Sequence, residues 1–278
     1  MAQWTPRGAD PASHHALVDG IPDWMERSLR NWFGTEFTLG SDYTARAWTE
    51  RMEEYDLAAR TSLAADLERY GPDSVFDALG SSALDVIDWL IHDNSTWDGR
   101  ESRNDELEGI LLAGGSLWKV GQRGGFAGLE RRVPEGVQVA AEAAIAVPGN
   151  AGSLLSEAWH AAFGLNPDYE KAYAKSIKAV EAAAIPVVSP NHTGATLGTV
   201  IGQMRADGDW ALAMTREHPT HTTAQVVIGN MQALWTGQND RHAGQPGYAA
   251  STQAEAEAAV MLAVPLVQLF SSGAVARR

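Results

Sequence analysis

The stretch TTAQVVIGNMQALWTGQNDRHAGQPG, Thr222 to Gly247, decides how the rest of the chain is read. Val227, Ile228, Met231, Leu234 and Trp235 fall on one stripe at helical spacing, which predicts a helix with a buried face. Gly237 closes the periodic run, and Asn239, Asp240, Arg241, His242, Ala243 and Gly244 follow it. A buried helix thus delivers a compact polar cluster to its own C-terminal end. No comparable junction elsewhere sets an arginine beside a histidine, so this is the candidate site.

Working outward, a last helix is expected over about Thr252 to Phe270, with Val260, Ala263, Val264 and Val267 inward, a bend at Pro265 and a frayed tail to Arg278. Upstream, Thr196 to Met204 reads as a helix after the Ser189 to Gly194 loop. The strongest helical pattern is Asp168 to Ile185. Asp168 is its candidate N-cap, Tyr173, Ile177, Val180 and Ala184 its inner stripe, and Pro186 its end or kink. Lys171, Lys175 and Lys178 lie outward, and Glu181 stands alone among alanines. Ala151 to Phe163 and Pro134 to Ala146 are two more helices, separated by Pro148 and Gly149.

The first half reads as helices with one change of period. Met1 to Gly20 is a loose leader. Trp24 to Phe33 is helical, Asn31 to Ser41 a turn region, Tyr43 to Tyr70 one helix ending at Gly71-Pro72, and Asp73 to Asp93 a third helical run. Ser95 to Asp105 reads as a loop and Glu106 to Ala113 as a short helix. Two short strands around Gly121 to Gly125 then suggest a small hairpin. Gly124-Gly125 lacks the spacing of a phosphate-binding loop and reads as a turn. Trp89, Trp97 and Trp118 are assigned to core packing rather than to an aromatic binding surface. The fold class is therefore all-α, mainly helical. It divides into a leader (1–20), an N-terminal helical domain (21–105), a connecting helix-hairpin-helix region (106–167) and a C-terminal helix bundle (168–278).

The 278 residues, 45% hydrophobic, suffice for two domains with sizeable cores. The absence of cysteine excludes disulfides and thiolate chemistry and fits a reducing compartment. No apolar run is read as transmembrane, the first 15 residues lack an apolar signal core, and a cytoplasmic protein with no membrane partner is expected. The net charge of -14 is uneven: from Asp168 onward 9 acids face 8 bases, whereas 26 acids and 13 bases precede it. Such acidity argues against a nonspecific DNA binder but leaves room for a local nucleic-acid site in the near-neutral C-terminal part. Paired His14 and His15 lie in the loose leader, and His218 with His221 lacks a third ligand, so no metal and no cofactor is expected.

Three blocks carry a family resemblance: YEKAYAKSIKAVEAAAIPVV from Tyr169 to Val188, ATLGTVIGQM from Ala195 to Met204, and VVIGNMQALWTGQNDRHAG from Val226 to Gly244. In this order, followed by an alanine-rich last helix, they resemble the C-terminal domain of abortive-infection proteins within the wider HEPN superfamily. The resemblance covers roughly Asp168 to Phe270. It implies a bundle of four or five helices, frequently dimeric, and a role in growth arrest on phage infection. In active members it implies metal-independent RNA cleavage by an Arg and a His at a shared cleft. His242 occupies the histidine position, but Trp235 stands where the pattern has its arginine, and Arg241 is instead adjacent to His242.

Two function classes follow. In the first, the module is a degenerate, noncatalytic nucleic-acid-binding or assembly unit of an antiviral defence protein. It would form a homodimer, contact RNA and answer to a phage-derived trigger or partner protein. Asn239, Asp240 and Trp235 would serve binding. In the second, it is an endoribonuclease. His242 would exchange a proton with a ribose 2'-hydroxyl or a leaving oxygen, and Arg241 would stabilise the phosphate charge. The residues leave open whether the protein is an enzyme. A tryptophan at 235 cannot hold a phosphate by a bidentate charged contact, which favours the first class.

Overall fold

The computed structural model describes residues 5–39, 46–97, 100–238 and 248–278. The chain is mainly helical, as the periodicity predicts, with short antiparallel strand pairs, and divides into two compact units, Met1–Arg132 and Val133–Arg278. The region 106–167, read as a connection, is shared between them.

In the first unit a single helical turn, α1 (Pro11–His14), precedes α2 (Asp23–Glu36). Met25, Leu29, Trp32, Phe33 and Glu36 of α2 are buried, one helical stripe ending in a carboxylate. The helix therefore takes in the first part of the expected turn region, Asn31 to Glu36. Trp24 shares the helix but not the stripe: it is 66% exposed and donates its indole N–H to the Gly114 carbonyl at 3.0 Å. A minimal strand pair follows, β1 (Thr38–Leu39) with β2 (Arg46–Ala47).

The single helix expected from Tyr43 to Tyr70 is two, α3 (Thr49–Ala59) and α4 (Ala64–Leu79). The break lies at Arg60, which takes a left-handed conformation. Asp56 turns back across it, accepting from the Leu63 and Ala64 amides at 2.8 Å each. Those amides belong to the start of α4, where a carboxylate satisfies orphan donors. α4 then passes the expected stop at Gly71-Pro72 with a kink at Gly71 and continues to Leu79. After a 3-10 turn come α5 (Ala83–Asn94) and α6 (Glu101–Ala113), which takes in part of the loop expected from Ser95 to Asp105.

The hairpin is present as β3 (Trp118–Arg123) and β4 (Phe126–Arg131). Arg123 pairs with Phe126 across Gly124-Gly125, both with positive φ, the requirement of a tight two-residue hairpin turn. α5 anchors β4: Asp88 accepts from the Leu129 amide at 2.6 Å and the Ser95 hydroxyl from the Ala127 amide at 2.9 Å. Of the three tryptophans assigned to the core, Trp118 is buried, Trp89 partly so, and Trp97 is 48% exposed.

The second unit comprises α7 (Glu135–Ile145), α8 (Asn150–Phe163), α9 (Tyr169–Val188), α10 (Leu197–Asp207), β5 (Trp210–Leu212), α11 (Thr223–Thr236), α12 (Gln253–Ser271) and β6 (Val275–Arg277). α9 is the axis, packed against α8, α10 and α12. Ala158 and Ala162 of α8, Ala172, Ala179 and Ala184 of α9, and Ala256, Ala259 and Ala263 of α12 are buried. Small side chains let the helix backbones approach closely. The Asp168 cap is as expected, accepting from the Lys171 amide at 2.9 Å, and α9 runs through Pro186 to Val188. Glu181 accepts from the Leu197 amide at 2.7 Å, so the lone acid among alanines fixes the start of α10.

Two corrections concern the C-terminal end. The segment expected to fray contains β6, paired antiparallel with β5 from Trp210↔Arg277 to Leu212↔Val275. The helix α12, 19 residues with a hydropathy of 1.4, is long and apolar enough to cross a membrane by length and composition. One face of it, including Val260, Val264, Val267 and Phe270, lies in the core of this unit.

Candidate functional site

α11 is delimited by its sequence at both ends. The Thr222 hydroxyl caps it, accepting from the Gln225 amide at 3.3 Å while the Gln225 side chain accepts from the Thr222 amide at 3.1 Å. This reciprocal pair satisfies two of the helix's orphan donors. Val227, Ile228, Met231 and Leu234 are buried, as the stripe predicts. At the far end the Gly237 amide donates to the Ala233 carbonyl at 3.0 Å.

Two side chains from other helices shape that end. Tyr173 of α9, almost fully buried, donates its hydroxyl to the Leu234 carbonyl at 3.1 Å, filling an acceptor the last turn leaves open. Gly237 lies so close to this hydroxyl that a side chain there would overlap it. Trp235 lies half-buried against α10, and a Cβ at Gly198 would stand 3.1 Å from its indole. The indole of Trp235 is thus matched to a glycine in the second resemblance block.

The chain is described again from Tyr248. The Tyr248 hydroxyl donates to Glu170 at 2.6 Å, and the Tyr169 hydroxyl to Gln253 at 3.4 Å. α12 begins with a second capping box, the Glu255 carboxylate accepting from the Thr252 amide and hydroxyl at 2.8 Å each. These bonds hold the Glu255 carboxyl below its ordinary value. The two flanks of the polar cluster are therefore tied to neighbouring turns of α9, one through Tyr173 and the other through Glu170, three residues apart on one helix face. Asn239, Asp240, Arg241 and His242 lie outside the described residues. Of the candidate site residues, Trp235 is placed, against Gly198; a frame of Tyr173, Glu170 and Tyr248 ties down the flanks.

That frame was only half legible. Tyr173 is identifiable as an inward residue, but nothing in periodicity shows its hydroxyl reaching a carbonyl 61 residues away. The tyrosines at 169 and 173, flanking Glu170 at the start of a helix, were the available signal.

The histidine pairs bear no metal-site geometry. His218 and His221 stack with ring centroids 5.2 Å apart, and His218 Nδ1 accepts from the His221 amide at 3.1 Å, a turn-forming role. The His15 ring nitrogen is engaged with the Thr5 hydroxyl at 2.9 Å. Among the described residues no group of three or more His, Asp or Glu is arranged to hold a metal.

Charge is concentrated elsewhere, in a cluster the sequence did not disclose. Glu36 is fully buried at the end of α2, and Arg51 of α3 reaches its carboxylate at 2.5 Å. Arg103 joins at 2.6 Å and Arg100 at 3.1 Å. Arg51 also donates to Asp93 at 2.9 Å and Asn94 at 2.7 Å. A carboxylate removed from water is costly unless it is paired and hydrogen-bonded in this way. The partners of Glu36 lie up to 67 residues away in sequence, beyond any periodic signal.

No protein-family model, curated protein or solved structure matches the chain.

Proposed function

We propose that the second unit is a noncatalytic nucleic-acid-binding or assembly module of a cytoplasmic, abortive-infection-like defence protein. The HEPN-type assignment rests on the three sequence blocks, and the helical architecture of the unit is compatible with it. The observation that carries the noncatalytic reading is Trp235. The position where the resemblance calls for a phosphate-holding arginine bears an indole packed against Gly198. An indole supplies a stacking face and one N–H donor, which suits a base or a protein surface rather than a phosphodiester in reaction. RNA is the expected ligand, and a homodimer the expected assembly. A phage-derived trigger or partner protein would act on this assembly.

The reading is tested by titrating labelled single-stranded RNA with wild type and Trp235→Ala while following mass by light scattering. Binding by a dimer, weakened about tenfold in the variant, is the expected result. Absence of both RNA binding and dimerisation at micromolar protein would overturn it.

The second reading is a metal-independent endoribonuclease using His242 and Arg241. It is favoured by one observation, the adjacency of these residues in a segment that directly follows α11. In it, the imidazole of His242 would move the 2'-hydroxyl or leaving-group proton while Arg241 would replace the cation missing at position 235.

A further inference from the structure

We propose that Trp48, Trp97 and Arg100 in the first unit form a binding site for a nucleotide, the guanidinium taking the phosphate and the exposed indole stacking on the base. The inference is independent of the function proposed for the second unit. It begins with an imbalance in the buried charge cluster. Glu36 and Asp93 are the carboxylates within it, and they face three guanidiniums, those of Arg51, Arg100 and Arg103. Arg51 has Asp93 as a second acid, and Arg103 has Glu106 at the rim. Among the described residues, Arg100 has no acid that it does not share. Its Nη1 shares Glu36 Oε2 with Arg51 and leans on the Asn94 side-chain oxygen at 3.2 Å.

Among the described residues, Nε and Nη2 of Arg100 have no hydrogen-bond partner. Yet its side chain is only 25% exposed. Burial first, and the neighbouring Arg51 charge second, push the Arg100 guanidinium below its ordinary value. A partly desolvated cation with an open planar edge and cationic neighbours is matched by a bidentate anion such as a phosphate.

The surroundings add a second chemistry. The Arg100 guanidinium lies 4.9 Å over the Trp48 ring, which fixes its plane. Trp97 meets Trp48 in a T-shaped contact at 5.8 Å and 88°, and it is 48% exposed. The Arg100 amide donates to the Trp97 carbonyl at 3.3 Å, keeping cation and exposed indole adjacent. An anion alone would need no such platform; a phosphate carried on an aromatic base uses both.

The test titrates the full chain by calorimetry with adenosine 5'-monophosphate, inorganic phosphate and adenosine at low salt. The monophosphate is expected to bind roughly tenfold or more tightly than either fragment, since stacking and phosphate contacts are both satisfied only there. Arg100→Gln is expected to weaken monophosphate binding about tenfold or more, and Trp97→Ala to reduce it to the affinity of inorganic phosphate. Trp97 has no part in the Glu36 cluster, so its variant remains informative if Arg100→Gln fails to fold. No binding by wild type, equal binding of monophosphate and inorganic phosphate, or unchanged affinity in the Trp97→Ala variant would overturn the proposal.

Discussion

At the depth where the first unit buries Glu36 and Arg51, the second buries the alanines of α8, α9 and α12. Every buried charged residue among those described, Glu36, Arg51, Asp88 and Glu130, belongs to the first unit; the buried polar residues of the second are serines. The more acidic first unit thus takes charge into its interior, and the second builds an interior of small apolar side chains. The two solutions are vulnerable in opposite ways. A buried ion network fixes where its helices meet but leaves bare charges when one member is cut away. An alanine seam fixes how closely its helices approach and fails when a member grows.

Arg51→Ala should show the largest effect. It strands Glu36 and Asp93 and should cost the first unit about 3–5 kcal/mol. Hydrogen exchange during urea titration should show amides of 5–132 losing protection while those of α9 retain it. Equal loss in both units would break the comparison. Ala179→Leu, on the fully buried face of α9, should cost the second unit about 1–3 kcal/mol by overpacking. A neutral result would mean that the seam is looser than its burial indicates.

Tyr173→Phe should be smaller again, about 1 kcal/mol, because it removes one hydrogen bond to the Leu234 carbonyl and leaves the ring in place. Its effect should be local, seen as faster amide exchange in the last turn of α11. An effect spread over the whole unit would assign Tyr173 to the core rather than to the site frame.

The smallest and most diagnostic effect concerns pH. Burial raises the Asp88 carboxyl above its ordinary value of 3.8 against the Leu129 and Arg123 bonds that lower it. The folded state therefore holds this proton more tightly than the unfolded state, and stability from Asp88 declines as pH rises from 3.8 through the raised folded value. Glu217 in the second unit is lowered by bonds from Thr223 and then by Arg278, so its contribution is present above 4.5 and is lost as pH falls through the folded value. Asp88→Asn keeps an acceptor for the Leu129 amide and should flatten the first trend above pH 3.8 without touching the second. Melting curves across pH 3 to 7 that were parallel for variant and wild type would refute the assignment.

The same division explains what was legible in the sequence. Stripes such as Tyr173, Ile177 and Val180 or Val227, Ile228 and Met231 repeat within one element, so the helices of the second unit were readable almost to their ends. The hairpin was readable because Gly124-Gly125 fits few other backbones. The α3–α4 break was hidden because charged residues of a solvated face flank it on both sides; Thr61 and Ser62, small hydroxyl residues ahead of Leu63, were its local sign. The Glu36 cluster, the Tyr173 contact and the β5–β6 pair join residues distant in sequence, and neither periodicity nor propensity carries such information. At the candidate site, residue types were legible and Trp235 announced a departure from the resemblance, but its packing partner Gly198 needed the fold.

The central functional claim is that this site binds or assembles without cleaving. It is tested most directly by incubating the purified full chain with labelled single-stranded RNA and a matched DNA, with and without a chelator, alongside His242→Ala. The account predicts that wild type leaves both strands intact over a wide range of protein concentration, and that the variant behaves the same. RNA cleavage that survives the chelator, spares the DNA and disappears in His242→Ala would contradict it and establish the nuclease.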